Sequence, residues 1–501
     1  MKHLNYLIAF FLFVSISFVS CNKDDDDNPN TEPNAAAVEL NEPINNFVWK
    51  AMNSWYNWKD EVPNLADTKD DVLDTYYTYL NGFGSPENLF ESLLYDKGNT
   101  DRFSWFIEDY VEQQKSFQGI SVTTGIRRST PIKIAENVII IYAQHVSTGS
   151  PADIAGVKRG DIINAIDGQI MNETNYADVI NKLYNGNTII VSTAKLENDG
   201  SLTKLKDFTV TPAEISDNPV HFTKVFDAID GKKVGYLVYN GFRSSYNDEL
   251  NAAFGTFKAA GVTELVIDFR INGGGSVETS AFLASMINES AGTDVFAELK
   301  FNSKHSNENG VYNFGNSLNV YDANGSKTGT ETINRLAGIS KLYVIVSGGT
   351  ASASEMVING LKPFITVKLI GETTYGKNVG SITLYDSPTS SYTSQSSAKS
   401  YHKNAMQPIV FQIYNKLGES DYTQGFAPDI EIEEWMSWKN ILAYGDENEV
   451  LLKAALDDIK GLTARPALKV DDHIQLMDEK SIKKMKFEKE MYLENHFFNE
   501  N

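Results

Sequence analysis

The chain has 501 residues, 42% of them hydrophobic and 22% charged, which is enough for several packed domains. Its formal charge of −22 at pH 7, with no basic stripe to interrupt it, opposes binding to nucleic acid or other polyanions. Cys21 is the single cysteine, so an intrachain disulfide is excluded.

The first residues carry Lys2 and an apolar run at 7–14, and end in small residues before Cys21. This is the pattern of a secretory signal, with an apolar run too short to span a bilayer. With Phe18, Val19 and Ser20 as a loose lipobox, residues 1–21 resemble a bacterial lipoprotein signal, and Cys21 would be lipidated. Cleavage there removes Lys2 and no acid, so −22 becomes −23. Residues 22–37 open on Asn22, Lys23 and four aspartates at 24–27, and read as an acidic flexible tether. An acidic run beside such a cysteine resembles the surface-export signals of Bacteroidetes lipoproteins. The expected location is the cell envelope, lipid-anchored to the outer membrane and facing the periplasm or the outside.

Residues 38–116 read as helical. Ile44, Phe47, Val48, Met52 and Trp55 recur at helical spacing, and Val72, Leu73, Tyr76, Tyr77 and Leu80 do so again. A third, aromatic segment spans 103–111. Residues 117–213 change to short strands, starting at Phe117, Gln118, Gly119 and Ile120. A run at 150–163 follows, then Asp167-Gly168, and Thr174 is expected to cap a helix bearing Tyr176, Val179, Ile180 and Leu183. These segments resemble a PDZ domain. The resemblance implies that a peptide adds as a strand beside that helix, with Phe117, Gln118, Gly119 and Ile120 forming the carboxylate-binding turn.

Residues 214–461 alternate strand and helix, which predicts a largely parallel sheet with its chemistry at strand ends. Strands are expected at 234–239, 264–270, 342–346 and 365–370, with helices at 247–260, 279–287 and 450–456 and a looser insertion at 301–329. Three strand ends carry chemistry. The strand at 264–270 runs into Asn272, Gly273, Gly274 and Gly275, which offer bare N–H groups. The strand at 342–346 delivers the small residues of 347–354 to a tight turn that opens a helix, where a serine could be a nucleophile that meets free backbone donors. The strand at 365–370 leads to Lys377. Asp268 and Arg270 are expected to fix the glycine loop, and Glu355 to cap the helix after Ser352. The tail at 462–501, with Lys480, Lys483, Lys484, Lys486 and Lys489, reads as a charged surface helix. No metal-ligand cluster, phosphate loop or dinucleotide fingerprint is present, so neither a metal nor a cofactor is expected.

The segments DFRINGGG, TASASE and GETTYGK, in this order, resemble the carboxyl-terminal processing (tail-specific) serine peptidases over roughly residues 117–435. Residues 425–430 match that family's closing Gly-x-x-Pro-Asp segment. The resemblance implies a crotonase-like β/α core with an inserted PDZ domain and an N-terminal helical region. It makes Ser352 the nucleophile and Lys377 the general base, with Gly274 and Ala353 forming the oxyanion hole. Three positions depart from the family pattern: Gly273 stands for the usual proline, Ser381 for a glutamine that orients the lysine, and Lys341 for an aspartate. An ordinary lysine has a pKa near 10.4, so Lys377 must be desolvated to act as a base. Arg270, if turned inward, would lower it further, and His402 is the fallback base. The expected function is a serine endopeptidase that takes polypeptides with free C-termini through its PDZ domain and cuts them outside the cytoplasm. The alternative is a non-catalytic peptide-binding lipoprotein; acyl-thioester chemistry on the same fold would leave the PDZ insertion without a purpose.

Overall fold

The computed structural model describes residues 37–289, 292–462, 473–483 and 489–494. The expected signal, Cys21 and nearly all of the tether lie outside the described residues, as do Lys484 and Lys486. No helix among the described residues is long and apolar enough to cross a membrane.

The N-terminal region opens with the helix Pro43–Trp55, whose first turn holds proline and whose Ile44 N–H is taken by the Glu42 carboxylate at 3.1 Å. Phe47, Val48, Met52 and Trp55 of this helix enter the main core, as their spacing predicts. The helix Leu73–Asn81 buries Tyr76 and Leu80, but Val72 and Leu73 lie outside the packed face at 58% and 57% exposure. The helix begins only at Leu73, so Val72 is its N-cap and Leu73 its first residue, ahead of the face that Tyr76 and Leu80 bury. Of the aromatic third segment, Trp105–Ile107 is a strand and Tyr110–Phe117 a helix.

The central six-stranded sheet runs in the order Val220–Ile229, Lys232–Tyr239, Glu264–Asp268, Lys341–Val346, Thr366–Gly371, Ile430–Glu431. Only the first pair is antiparallel. A parallel sheet must be covered on both faces, and its strands read as continuous apolar runs for that reason. Tyr236, Val266, Tyr343 and Ile345 pack under the helix Val450–Ile459 on one face. Leu237, Ile267, Val344 and Leu369 face the nucleophile helix Ala353–Leu361 and the N-terminal helices on the other. The insertion is more regular than its Asn- and Ser-rich sequence suggests. Gly310–Asn313 adds to the second six-stranded sheet, and Ser317–Tyr321 pairs with Lys327–Thr332 as a hairpin.

The PDZ unit is a separate sheet built on Ile126–Arg128, Ile132–Ala135, Val138–Val146, Ile162–Ile166, Ile189–Leu196 and Leu202–Val210, with the helix Tyr176–Asn181 beside it. Thr174 does not cap that helix. The Asn172 carboxamide oxygen accepts from Thr174 N and Asn175 N instead, at 2.9 and 3.1 Å. The tail is not a surface helix where it is described. Gln475–Leu476 joins the PDZ sheet, and Met491–Tyr492 joins the second core sheet between Gly275–Ser276 and Val379–Ser381.

One buried charge cluster ties the PDZ unit to the core. Arg159 of the PDZ unit and Arg270 of the core both bond the Glu434 carboxylate, and Arg270 also holds Asp268 and Glu449. Burial alone would raise the Glu434 pKa, but the two guanidinium groups outweigh it and hold it down at about 2. Arg159→Met would leave Glu434 with one of its two guanidinium partners, at a cost of about 3 kcal/mol seen as a lowered melting temperature. A carboxylate with a depressed folded pKa stabilises above its unfolded value and ceases to do so in acid. Wild-type stability is therefore expected to fall as pH drops from about 4.3 toward 2, and the Arg159→Met chain to show a shallower acid slope in calorimetry.

Candidate active site

The nucleophile turn is held by a dense set of short bonds. Ser347 Oγ donates to Arg270 O at 2.6 Å and Thr350 Oγ1 to Phe269 O at 2.8 Å, fixing this turn to the glycine loop. Ala351 N–H and Ser354 Oγ both donate to Asn272 O, at 3.2 and 3.1 Å. Ser352 ends the turn at φ 64°, ψ −118°, a region that non-glycine residues avoid. Such a conformation costs about 1–3 kcal/mol and persists only where the surroundings impose it. It places Oγ at the N-terminus of the helix Ala353–Leu361, beside the Ala353 N–H.

Gly274 lies against this serine at φ 113°. A Cβ there would stand 2.6 Å from Ser352 Cβ and 3.0 Å from Ala353 N, so only glycine permits the approach. The Gly274 N–H, expected to face the oxyanion, instead donates to Asn272 Oδ1 at 2.9 Å. The adjacent Gly275 N–H is the one directed into the cleft, where it meets Glu490 O at 2.5 Å. The loop turns once more than the motif reveals, because the Asn272 side chain captures the first amide.

Lys377 is 1% exposed, and its Nζ lies 5.0 Å above the Phe103 ring. Burial pushes its pKa below the ordinary lysine value, opposed by the negative charges of Glu490, Asp101 and Glu355. Nζ donates to Lys489 O at 2.9 Å, and Ser352 Oγ donates to the same oxygen at 3.4 Å. The structure thus brings Ser352 and Lys377 to one point. Arg270 takes no part in this: its guanidinium is committed to Asp268, Glu434 and Glu449.

Glu355 does more than cap. Its buried carboxylate accepts from Ser352 N–H at 2.9 Å, Thr374 Oγ1 at 2.6 Å, Gly376 N–H at 2.7 Å and Lys377 N–H at 2.8 Å. Burial raises its pKa, and these four donors work against that rise. One side chain therefore fixes the backbone of both Ser352 and Lys377. Its place three residues into a helix signalled only the cap, and the reach to Thr374 is a tertiary fact.

Other expected roles move. Ser381 Oγ donates to Met491 O at 3.1 Å and accepts from Gln407 Nε2 at 3.0 Å, so its hydroxyl is spent away from the lysine. His402 bonds Asp386 at 3.3 Å and packs on Phe47 and Tyr401. Phe117, Gln118, Gly119 and Ile120 do not open the PDZ groove. Phe117 ends a helix and stacks on Tyr492 at 3.9 Å, and Ile120–Thr123 pairs with Ala213–Ser216, outside the PDZ sheet. The turn that leads into the PDZ sheet is the later one at Thr124 and Gly125, before Ile126–Arg128. Both turns share a glycine followed by isoleucine, and only strand pairing tells them apart.

The arrangement of a strained serine, a buried lysine and glycine-loop amides at parallel strand ends is of a serine-peptidase type. The model of peptidase family S41 matches residues 233–432, that of the peptidase S41 N-terminal domain residues 43–105, and a PDZ domain model residues 144–192. Among curated proteins, a chloroplastic C-terminal processing peptidase of Tetradesmus obliquus is 26% identical over 239 residues, which is 46% of each chain. Carboxyl-terminal-processing peptidase 2 of Arabidopsis thaliana is 27% identical over 268 residues, 53% of this chain and 46% of that one. These matches span about half the length of the relatives. The crystal structure of an S41-family protein from Bacteroides fragilis superposes with a TM-score of 0.64 at 25% identity, covering 83% of this chain and 98% of that one.

Glu355→Ala would strand three amides and one hydroxyl in a dry interior. The expected result is a loss of about 3 kcal/mol in stability and about 10²-fold in any turnover, read by denaturant titration and by peptide hydrolysis.

Proposed function

We propose that the chain is a serine endopeptidase in which Ser352 attacks a polypeptide carbonyl and Lys377 takes its proton. The observation that carries this is the convergence of Ser352 Oγ and the desolvated Lys377 Nζ on a single carbonyl oxygen. A neutral amine accepts the serine proton, and the resulting ammonium returns it to the leaving amide nitrogen. Ala353 N–H, at the helix start, and Gly275 N–H are the donors suited to the oxyanion. Water then hydrolyses the acyl-enzyme by the same route. Polypeptides with free C-termini are the substrate class that a PDZ domain joined to such a core would recruit, and the PDZ groove lies between Ile132–Ala135 and Tyr176–Asn181.

Ser352→Ala and Lys377→Ala should each lower hydrolysis of an unfolded protein by at least about 10³-fold while leaving the melting temperature nearly unchanged. Retained hydrolysis in Lys377→Ala would remove the dyad. Absence of hydrolysis and of fluorophosphonate labelling in wild type, with peptide binding intact, would favour the binding-protein alternative. Because the working form of Lys377 is the deprotonated one, the rate should rise with pH through its lowered pKa and then level off. The measurement is kcat against pH.

The protein is further proposed to act outside the cytoplasm, anchored through lipidated Cys21. The short apolar leader ending at the chain's lone cysteine supports this. Cys21→Ala should move the protein from the membrane fraction to the soluble or unprocessed one. Unchanged fractionation, with no lipid mass on the N-terminal peptide, would overturn the anchor.

A further inference from the structure

The segment that follows the core occupies both places where a substrate would bind. Gln475–Leu476 adds to the PDZ sheet antiparallel to Ile132–Ala135, with Leu476 opposite Ile132 and Met477 N–H bonded to Pro131 O. The chain then runs along the helix Tyr176–Asn181, where Tyr176 OH donates to Asp478 O at 2.8 Å and Asn181 bonds both Ser481 O and Lys483 N–H. Ile482 is 5% exposed, packed in the PDZ core with Val179, Ile180 and Leu183. Strand addition beside a helix, with an apolar side chain sunk between them, is how a peptide ligand enters such a groove.

The same segment reappears beside Ser352 and Lys377, where Lys489 and Glu490 also line a cavity of about 490 Å³ between the PDZ unit and the core. Its backbone forms a parallel ladder, Met491 opposite Gly275 and Tyr492 opposite Ser276, and Ser381 bonds it on the other side. Met491, Tyr492 and Leu493 are at most 3% exposed. Here the geometry separates a blocking peptide from a substrate. The carbonyl against Ser352 and Lys377 belongs to Lys489, whereas the carbonyl on the Gly275 amide belongs to Glu490. Attack needs one carbonyl to meet the serine with its carbon and the amide with its oxygen. The two roles fall on consecutive residues, so the peptide is out of register for cleavage. It also engages both dyad groups with one backbone oxygen, and the Glu490 carboxylate 4.0 Å from Nζ favours the protonated amine, which cannot act as base.

We propose that residues 475–483 and 489–493 act as an internal peptide ligand, the first stretch in the PDZ groove and the second at the catalytic serine, and hold the enzyme inactive until a substrate tail displaces them. The proposal rests on the peptidase reading for its second half only; occupancy of the groove stands apart from it. A tethered ligand acts at a local concentration of roughly millimolar, so an incoming tail pays for its removal in apparent affinity. Binding at the PDZ groove is thereby coupled to release of Ser352, because one stretch of chain covers both.

The test uses the full chain. Lys133 and Gln475 are directly opposed across the ladder, at a spacing that suits a disulfide. In a Cys21→Ala background, which leaves no other thiol, Lys133→Cys with Gln475→Cys should lose hydrolysis of unfolded casein by at least about tenfold on oxidation and regain it on reduction. Ile482→Asp should raise hydrolysis, and should bind a fluorescent peptide copying residues 473–483 at least about tenfold more tightly than wild type. Equal hydrolysis by the oxidised and reduced chains overturns the proposal. So does equal peptide binding by wild type and Ile482→Asp, or loss of the residues beyond 489 from stored wild type by intact mass, since a brake that is cut holds nothing. If no form hydrolyses casein, the peptidase reading falls, and the peptide-binding comparison still supports or overturns occupancy of the groove.

Discussion

The Glu355 carboxylate is the contact on which the site depends. A serine at one strand end and a lysine at another are two independent loops, each free to wander by more than catalysis tolerates. A buried carboxylate that accepts four hydrogen bonds, two of them from Ser352 and Lys377, removes that freedom. Its own desolvation is offset by those donors, so the clamp is stable only when complete. The strained Ser352 backbone is held from the other side by Ser347, Thr350 and Ser354, all bonded to the loop at 269–272. Strain of this kind is pre-organisation: Oγ and the Ala353 amide are set before a substrate arrives.

A second constraint acts at longer range. Arg159 and Arg270 share Glu434, so the PDZ unit and the glycine loop are joined by charges that neither side can satisfy alone. Removing one partner leaves a buried ion, which is why such clusters hold two bodies in one arrangement rather than adding much net stability. Arg270 also lends its backbone oxygen to Ser347, so this junction lies two bonds from the nucleophile turn. The tail spans the same two bodies by a different physics. Its ladder bonds and the buried Ile482 and Met491 are individually modest and replaceable by another peptide, whereas the arginine cluster is not.

The lysine shows how burial and charge divide the work. Desolvation lowers its pKa, and every nearby charge that opposes this is a carboxylate, with Glu490 first among them. The arginine that seemed placed to assist is held by three acids. The proton affinity of Lys377 is thus set by a dry pocket under Phe103 and modulated by the tail.

What the sequence by itself determined is the set of elements. The apolar run at 342–346 and the β-branched run at 365–370 read as strands, and glycine with small residues after them predicts tight turns at the strand ends. The turn at 347–354, Lys377 and the glycine loop were legible as strand ends for that reason, Ser352 itself only through the family resemblance, and a PDZ unit from its closely spaced motif. What only the tertiary structure decided is which polar group each side chain meets. Glu355 reaches Thr374, Asn272 takes the Gly274 amide and leaves Gly275 in the cleft, and Ser381 turns to Met491 rather than to the lysine. The choice between two Gly-Ile turns, and the fate of a tail whose charges read as a solvated helix, were likewise settled by strand pairing across hundreds of residues. Local periodicity reports which face of a segment is apolar, but hydrogen-bond partners distant in sequence are set by the packed chain, and this site is made of such partners.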